Sequence, residues 1–372
     1  MLRKEAGLLN LCMFVHQWSL SSSDIFSTPL PSSLGYLESR TTDNASEPEN
    51  CVFNEGFKYV LLPVTYSIVF VVGLILNTIS LWMFTCQMRP WNPSTIYMFN
   101  LTVSDTLYLF SLPLLAYYYS KENYWPFGVG LCKIVRFLFY TNLYGSILFL
   151  TCISMHRYVG ICHPIWALKW VNVKYASIIC ACVWVVVIIC IIPNLFFVTV
   201  RESGNTTLCY DTTTPDKFEQ YVYYSSVIMI LLFAIPIVVI IVCYCLMAKE
   251  LSKPFASSSI SNESISMVKK KSLKMVIIVL VVIIICFVPF HITRTLYYTF
   301  RLYNYNCHKL NTVNLAYKLT RPLASSNSCL DPILYFFAGD NYRNKLLQAL
   351  AKVCPSERLP LIWWINRSEE RK

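Results

Sequence analysis

Seven predominantly apolar stretches alternate with polar connections along this chain, near residues 60–86, 95–119, 129–160, 176–199, 221–247, 274–300 and 311–337. A helix rises ~1.5 Å per residue, so a run of about 18 or more apolar residues matches the hydrocarbon core of a bilayer. Most connections are short, apart from 200–220 and 248–273. The pattern predicts an all-α membrane protein, a seven-transmembrane helix bundle. After the seventh run, "GDNYRNKLLQALAKV" (339–353) reads as a short amphipathic eighth helix on the inner leaflet. The expected organisation is an extracellular N-terminal arm over 1–59, a seven-transmembrane domain over 60–338, and a cytoplasmic amphipathic helix and tail over 339–372.

Composition strengthens this picture. Of 372 residues, 56% are hydrophobic and 14% charged, and a soluble domain with that balance would expose too much apolar surface. Lysine and arginine set the expected orientation. Connections 87–94, 157–175 and 248–274 and the segment after 338 hold 17 of the 31 basic residues, against 9 in the arm and the other connections. The positive-inside bias places the N-terminus outside and the tail in the cytoplasm, with "KKKSLK" (269–274) as the clearest anchor. Plasma membrane is the expected location. A net charge of +11 therefore needs no nucleic-acid partner.

The arm carries a weak leader signature: "MLRKEAGLLNLCMFV" has a basic start and an apolar patch, but Asn10 interrupts it and no small-residue cleavage site follows. Residues 20–50 read as a flexible polar segment. Sequons at Asn44 and Asn205 fall on the expected outer side and are candidate glycosylation sites. Five cysteines also fall there: Cys12, Cys51, Cys132, Cys209 and Cys307. An oxidising exterior favours disulfides, and without Cys12 the remaining four allow three pairings. Cys354, just past the amphipathic helix, is a candidate for palmitoylation.

Five basic residues remain, all in the outer thirds of spans three, six and seven: Lys133, Arg136, Arg294, Lys318 and Arg321. Helical spacing arranges their neighbours in stripes. Cys132, Arg136, Tyr140 and Tyr144 share one face of span three; His291, Arg294 and Tyr298 share one of span six; Asn314, Tyr317, Lys318 and Arg321 share one of span seven. The three arginines fall roughly 10–15 Å inside the outer ends. Snorkelling accounts for Lys133 and Arg301, but Arg294 and Arg321 are too deep for it. Spans three, six and seven offer no acidic residue at this level, and Asp211 is the nearest candidate partner. The expectation is a shared wet cavity awaiting a small, multiply charged anion. Phosphates suit it, because guanidinium forks pair with their oxygens and tyrosine rings supply faces for a base.

In order, "GLILN" (Asn77), "LTVSD" (Asp105), "MHRY" (His156, Arg157), Trp184, Pro236 with Tyr244, "CFVPF" and "DPILY" (Asp331, Tyr335) resemble a class A, rhodopsin-like G-protein-coupled receptor. "NCVFNEGFKYVLLP", "WPFG", "LCKIVRFLFYTNLYGSILFLTCIS", "HITRTLYY" and "AYKLTRPLASSNSCLDPILYF" resemble, more narrowly, the metabotropic purinergic nucleotide receptors, especially those sensing UTP and ATP. The likeness covers about 51–350. It implies that Arg136, Arg294 and Arg321 hold nucleotide phosphates, assisted by His291 and Lys318, with Tyr140 and Tyr298 toward base and ribose. It also implies the pairs Cys132–Cys209 and Cys51–Cys307, an activation set of Arg157, Tyr244, Asp331 and Tyr335, and coupling to phospholipase C and calcium release through a Gq-class G protein. His156 stands where the class usually has an acid, so Arg157 lacks its common counter-ion.

Asp105, with Asn77, Asn327, Ser328 and Asp331, is expected to form a polar pocket, which the resemblance implies holds a sodium ion; a hydrogen-bonded structural network is the alternative, and two neighbouring buried carboxylates need a cation or a proton. No other cofactor is expected. Pro236 and Pro289 are expected to kink spans five and six, so that closure at the outer end swings the inner end of span six outward. "SSSISNESIS" (257–266) is an expected phosphorylation site for desensitisation, with arrestin as the implied partner. Receptors for other small anions, such as a lipid phosphate or a carboxylate, are the main alternative. An anion transporter is disfavoured by the lack of a repeat between halves. No P-loop, "HExxH" or paired catalytic carboxylates mark an enzyme.

Overall fold

A computed structural model describes residues 51–353, except 52, 54, 204, 205, 211, 253–271 and 339. Six helices are long and apolar enough to cross a membrane: α1 (Lys58–Gln87), α2 (Pro93–Ser120), α3 (Gly128–Cys162), α4 (Val173–Phe197), α5 (Pro215–Leu251) and α6 (Ser272–Leu302). The seventh, α7, runs in two pieces, Cys307–Ser325 and Asn327–Ala338. Its polar stripe leaves it outside that apolar set, yet it packs in the bundle all the same. An eighth helix, α8, covers Asp340–Val353. The chain is a seven-helix, multi-pass membrane bundle.

Local chemistry sets several helix starts. The side chains of Asn92, Asn172 and Asn306 accept the backbone N–H of Thr95, Tyr175 and Lys309, satisfying donors that a helix N-terminus leaves open. Irregularity gathers before prolines. Turns of π-helix at Ile230–Ala234 and Ile283–Phe287 precede Pro236 and Pro289. A proline removes one N–H and crowds the carbonyl a turn earlier, and a widened turn accommodates both.

Burial identifies the centre of the bundle. In its most apolar stretch α3 is 78% buried, against 22% for α1 and 28% for α4 and α5. The outer helices show lipid the apolar faces that sequence periodicity marks: Val60, Val64, Ile68, Val71 and Ile75 of α1 are all exposed. Between α4 and α5 a hairpin of β1 (Val200–Ser203) and β2 (Thr206–Cys209) pairs Val200 with Cys209. Disulfides join Cys132 to Cys209 and Cys51 to Cys307. They define one end of the bundle, called here the disulfide end. Asn44, Asn205, Asp211, Cys12, Cys354 and the serine-rich loop lie outside the described residues.

Candidate ligand site and inner polar network

Each predicted stripe faces the interior at the disulfide end. Cys132, Arg136, Tyr140 and Tyr144, then His291, Arg294 and Tyr298, then Asn314, Tyr317 and Arg321 are all buried; Lys318 is half-buried. On α3, Arg136 Nη2 donates to the carbonyl of Cys209 at 3.3 Å, and the Tyr118 hydroxyl donates to the same oxygen at 3.3 Å. The Cys132–Cys209 disulfide thus hangs the hairpin where its backbone meets Arg136.

Arg294 is enclosed by tyrosines. Its Nε donates to Tyr298 at 3.1 Å, Nη1 to Tyr144 at 3.0 Å and Nη2 to Tyr221 at 3.2 Å, while its guanidinium lies 4.8 Å from the Tyr140 ring centre. Arg321 Nη1 donates to Tyr119 at 3.1 Å, and its guanidinium lies 5.6 Å from the Tyr317 ring centre. Arg294 and Arg321 flank the neighbouring rings of Tyr140 and Phe139, Arg321 lying 6.0 Å from the Phe139 ring centre, and Tyr119, which accepts from Arg321, packs 4.9 Å from Tyr118, which shares the Cys209 carbonyl with Arg136. The cations of three helices therefore share one layer. His291 stacks 3.8 Å from Phe233, and neither of its ring nitrogens has a hydrogen-bond partner among the described residues.

The layer differs from the expected open, wet cavity. One crevice of about 290 Å³, counting its open mouth, is bordered by Ser225, His291, Arg294, Thr295 and Tyr298; another of about 180 Å³ is bordered by Tyr140, Tyr144, Asn194, Tyr224 and Arg294. Tyrosine supplies the reason: its hydroxyl accepts from a buried guanidinium and its ring face favours the charge, so that all three nitrogens of Arg294 find acceptors in a packed interior.

Three participants escaped the sequence reading. Tyr119 and Tyr221 hold Arg321 and Arg294, and the tyrosine run 117–119 was the available signal for the first. Glu55 was read as part of the arm. Its carboxylate pairs with Lys58 and accepts from Asn314 Nδ2 at 2.9 Å. Burial raises the Glu55 pKa, but the charge of Lys318 and the contacts with Lys58 and Asn314 outweigh it and leave the carboxyl below its ordinary range.

Deeper in the bundle, Asp105 Oδ1 accepts from Asn142 Nδ2 at 2.8 Å and Ser328 Oγ at 2.9 Å. Asn77 Nδ2 donates to the Ser328 carbonyl at 2.7 Å, and Asn327 Nδ2 donates to Ser146 Oγ at 3.0 Å. Asp331 is buried one turn after Ser328, the residue that donates to Asp105, and two buried carboxyls that close require a shared proton or a cation. Five buried oxygens (Asn77 Oδ1, Asp105 Oδ2, both carboxyl oxygens of Asp331 and Asn327 Oδ1) find no donor among the described residues. An all-oxygen set fits a hard cation such as sodium.

At the opposite end, Arg157 donates to Ser94 Oγ at 3.2 Å and Met275 Sδ at 3.1 Å, linking α3 to α2 and α6. Tyr335 is buried and accepts from Thr102 Oγ1 at 3.2 Å. Tyr244 is half-buried against the core. The predicted activation residues are thus divided: Arg157 and Tyr244 lie toward this end, whereas Asp331 belongs to the carboxyl network.

Seven membrane helices around a polar interior, with cations massed beneath one end, are the architecture of a membrane receptor. The 7 transmembrane receptor (rhodopsin family) profile matches residues 76–335. The chain is 54% identical over 335 residues to purinoceptor 4 of Xenopus laevis, covering 89% of this chain and 62% of that one. It is 55% identical over 309 residues to purinoceptor 4 of Rattus norvegicus, covering 83% and 84%, and 52% identical over 310 residues to purinoceptor 2 of Homo sapiens, covering 83% and 81%. The chain therefore belongs to the rhodopsin family of seven-transmembrane receptors, in its purinoceptor branch, and is not an enzyme.

Proposed function

We propose that this protein is a plasma-membrane receptor for extracellular nucleoside polyphosphates, UTP or ATP, that activates heterotrimeric G proteins of the Gq class. The observation that carries the reading is the layer of Arg136, Arg294 and Arg321 buried under the disulfide end on hydroxyl and carbonyl acceptors. Oxygens of that kind are readily exchanged for phosphate oxygens, which make stronger, charge-assisted hydrogen bonds. The names of the purinoceptor relatives support the same ligand class. In this reading the disulfide end faces the exterior, Lys318 and His291 assist the arginines, and Tyr140 and Tyr298 line the base and ribose. Because the layer is packed, the ligand enters by displacing tyrosine hydroxyls, and its differential affinity for the rearranged state shifts the equilibrium. A sodium ion held by Asp105, Asp331, Asn77, Asn327 and Ser328 favours the packed state.

Calcium release in receptor-null cells expressing the chain, with UTP, ATP, UDP and ADP compared and repeated under selective Gq inhibition, tests the proposal. At equal surface expression, Arg294→Ala is expected to weaken the response by about 2–5 kcal/mol, the scale for stripping one partner from a desolvated charge pair. An unshifted dose–response curve rules out the phosphate role of Arg294.

A further inference from the structure

Two residues just before α1, Cys51 and Glu55, are both anchored on α7 and together act as a strap. The Cys51–Cys307 disulfide fixes its beginning, with the two Cα atoms 5.5 Å apart. Four residues later the Glu55 carboxylate reaches α7, where one oxygen accepts from Asn314 and the other pairs with Lys58. Asn314 is 1% exposed, so this anchor is built into the bundle. Asn314, Lys318 and Arg321 follow i, i+4, i+7 on one helix face, which places Glu55 at the head of the basic column on α7. Lys318 lies one turn further along the same face, within electrostatic reach of the carboxylate.

We infer that Glu55 is a tethered anion that competes with the ligand's phosphates for the head of the α7 basic column, and so sets how steeply affinity rises with ligand charge. The inference rests on the proposed nucleotide function. A carboxylate and a phosphate present the same anionic oxygen acceptors to Lys318 and Asn314. With the carboxylate in place, part of the cationic field of Lys318 is already neutralised, and an arriving phosphate meets a like charge nearby. Removing the Glu55 charge exposes that field. The benefit then grows with each negative charge on the ligand, and salt screens it. Lys58 pairs with one carboxylate oxygen only, and the other faces Asn314 and the α7 column.

Binding of UTP, UDP and uridine monophosphate to membranes bearing the full chain tests this. Glu55→Gln is expected to raise UTP affinity by about threefold to tenfold, the scale of a charge at the edge of a site. The gain should be smaller for UDP, least for the monophosphate, and reduced as sodium chloride rises from about 50 to roughly 300 mM, where screening shortens. Glu55→Asp, which keeps the charge, should stay near wild type. A purely structural strap predicts a fall in affinity, or one equal for all three ligands at every salt concentration; either result overturns the inference. Glu55→Ser supplies the same loss of charge where Glu55→Gln does not reach the surface, and failure of both makes Glu55 a folding determinant and also overturns it. Absence of UTP, UDP and monophosphate binding by the wild-type chain itself overturns instead the nucleotide reading on which the inference rests.

Discussion

At the scale of single residues, Arg294 shows how a cation is kept inside an apolar bundle: three tyrosine hydroxyls and the ring faces of Tyr140, Tyr298 and Phe290 replace water. Tyr221 contributes one of those acceptors at 3.2 Å. Tyr221→Phe leaves that donor of a buried guanidinium without its acceptor, which costs about 1–3 kcal/mol. The expected result is a lower thermal midpoint for the purified ligand-free protein, with the gap to wild type narrowing in saturating UTP because phosphate oxygens take over the exposed donor. A gap unchanged by UTP means that phosphate does not reach Arg294. The arginine itself was legible in the sequence, because a cation two turns deep in an apolar run has few bland explanations. Its tyrosine partners on α3 and α6 were legible as a stripe. Tyr221 was not, since it comes from another helix, and contact between helices depends on their rotation and depth rather than on spacing within either one.

Elements carry the next level of organisation. Helical periodicity fixed in advance which faces of α3, α6 and α7 would turn inward, and hydropathy marked seven spans. Periodicity says which residues share a face but not what fills the space before it, so a cavity was expected where tyrosines pack. The strap was missed for a related reason: Glu55 precedes α1 in sequence, and only the path of the chain, pinned by Cys51–Cys307, brings it to α7. Prolines 236 and 289 were legible as disturbances, and the π turns beside them are the form these take. At the other end, His156 replaces the expected acid, and α2 and α6 hold Arg157 through neutral partners. The Met275 contact ties α6 to Arg157, whose guanidinium is held in place by the Ser94 hydroxyl of α2. Ser94→Ala removes the hydroxyl that accepts from Arg157, a hydrogen bond to a charged group worth about 1.5–3 kcal/mol. Agonist-independent G-protein activation is therefore expected to rise at least several-fold at matched expression. Unchanged basal signalling means the Ser94 contact is not needed to hold Arg157 in its place against Met275 of α6.

On the scale of the whole molecule, three polar layers are threaded on the same two helices. α3 carries Arg136, then Asn142 and Ser146, then Arg157; α7 carries Arg321, then Asn327, Ser328 and Asp331, then Tyr335. The middle layer also engages α1 through Asn77 and α2 through Asp105, so any occupant of it acts on four helices at once. With five acceptor oxygens lacking donors among the described residues, a sodium ion seated there stabilises the arrangement in which the Asp105 and Asp331 carboxyls approach. Ligand binding to one state adds RT ln(1 + [L]/Kd), about 1.4 kcal/mol at roughly tenfold excess over Kd. In lipid nanodiscs the thermal midpoint of the ligand-free protein should accordingly rise with sodium chloride above its value in choline chloride at equal ionic strength. Asp105→Asn and Asp331→Asn each remove a carboxylate from the oxygen set, and both should abolish the difference. UTP affinity should fall with sodium in the wild type and lose that dependence in the same two variants, since one rearrangement serves both sites. Identical melting in the two salts assigns the carboxyl pair to a shared proton and leaves the layers linked by helix packing alone.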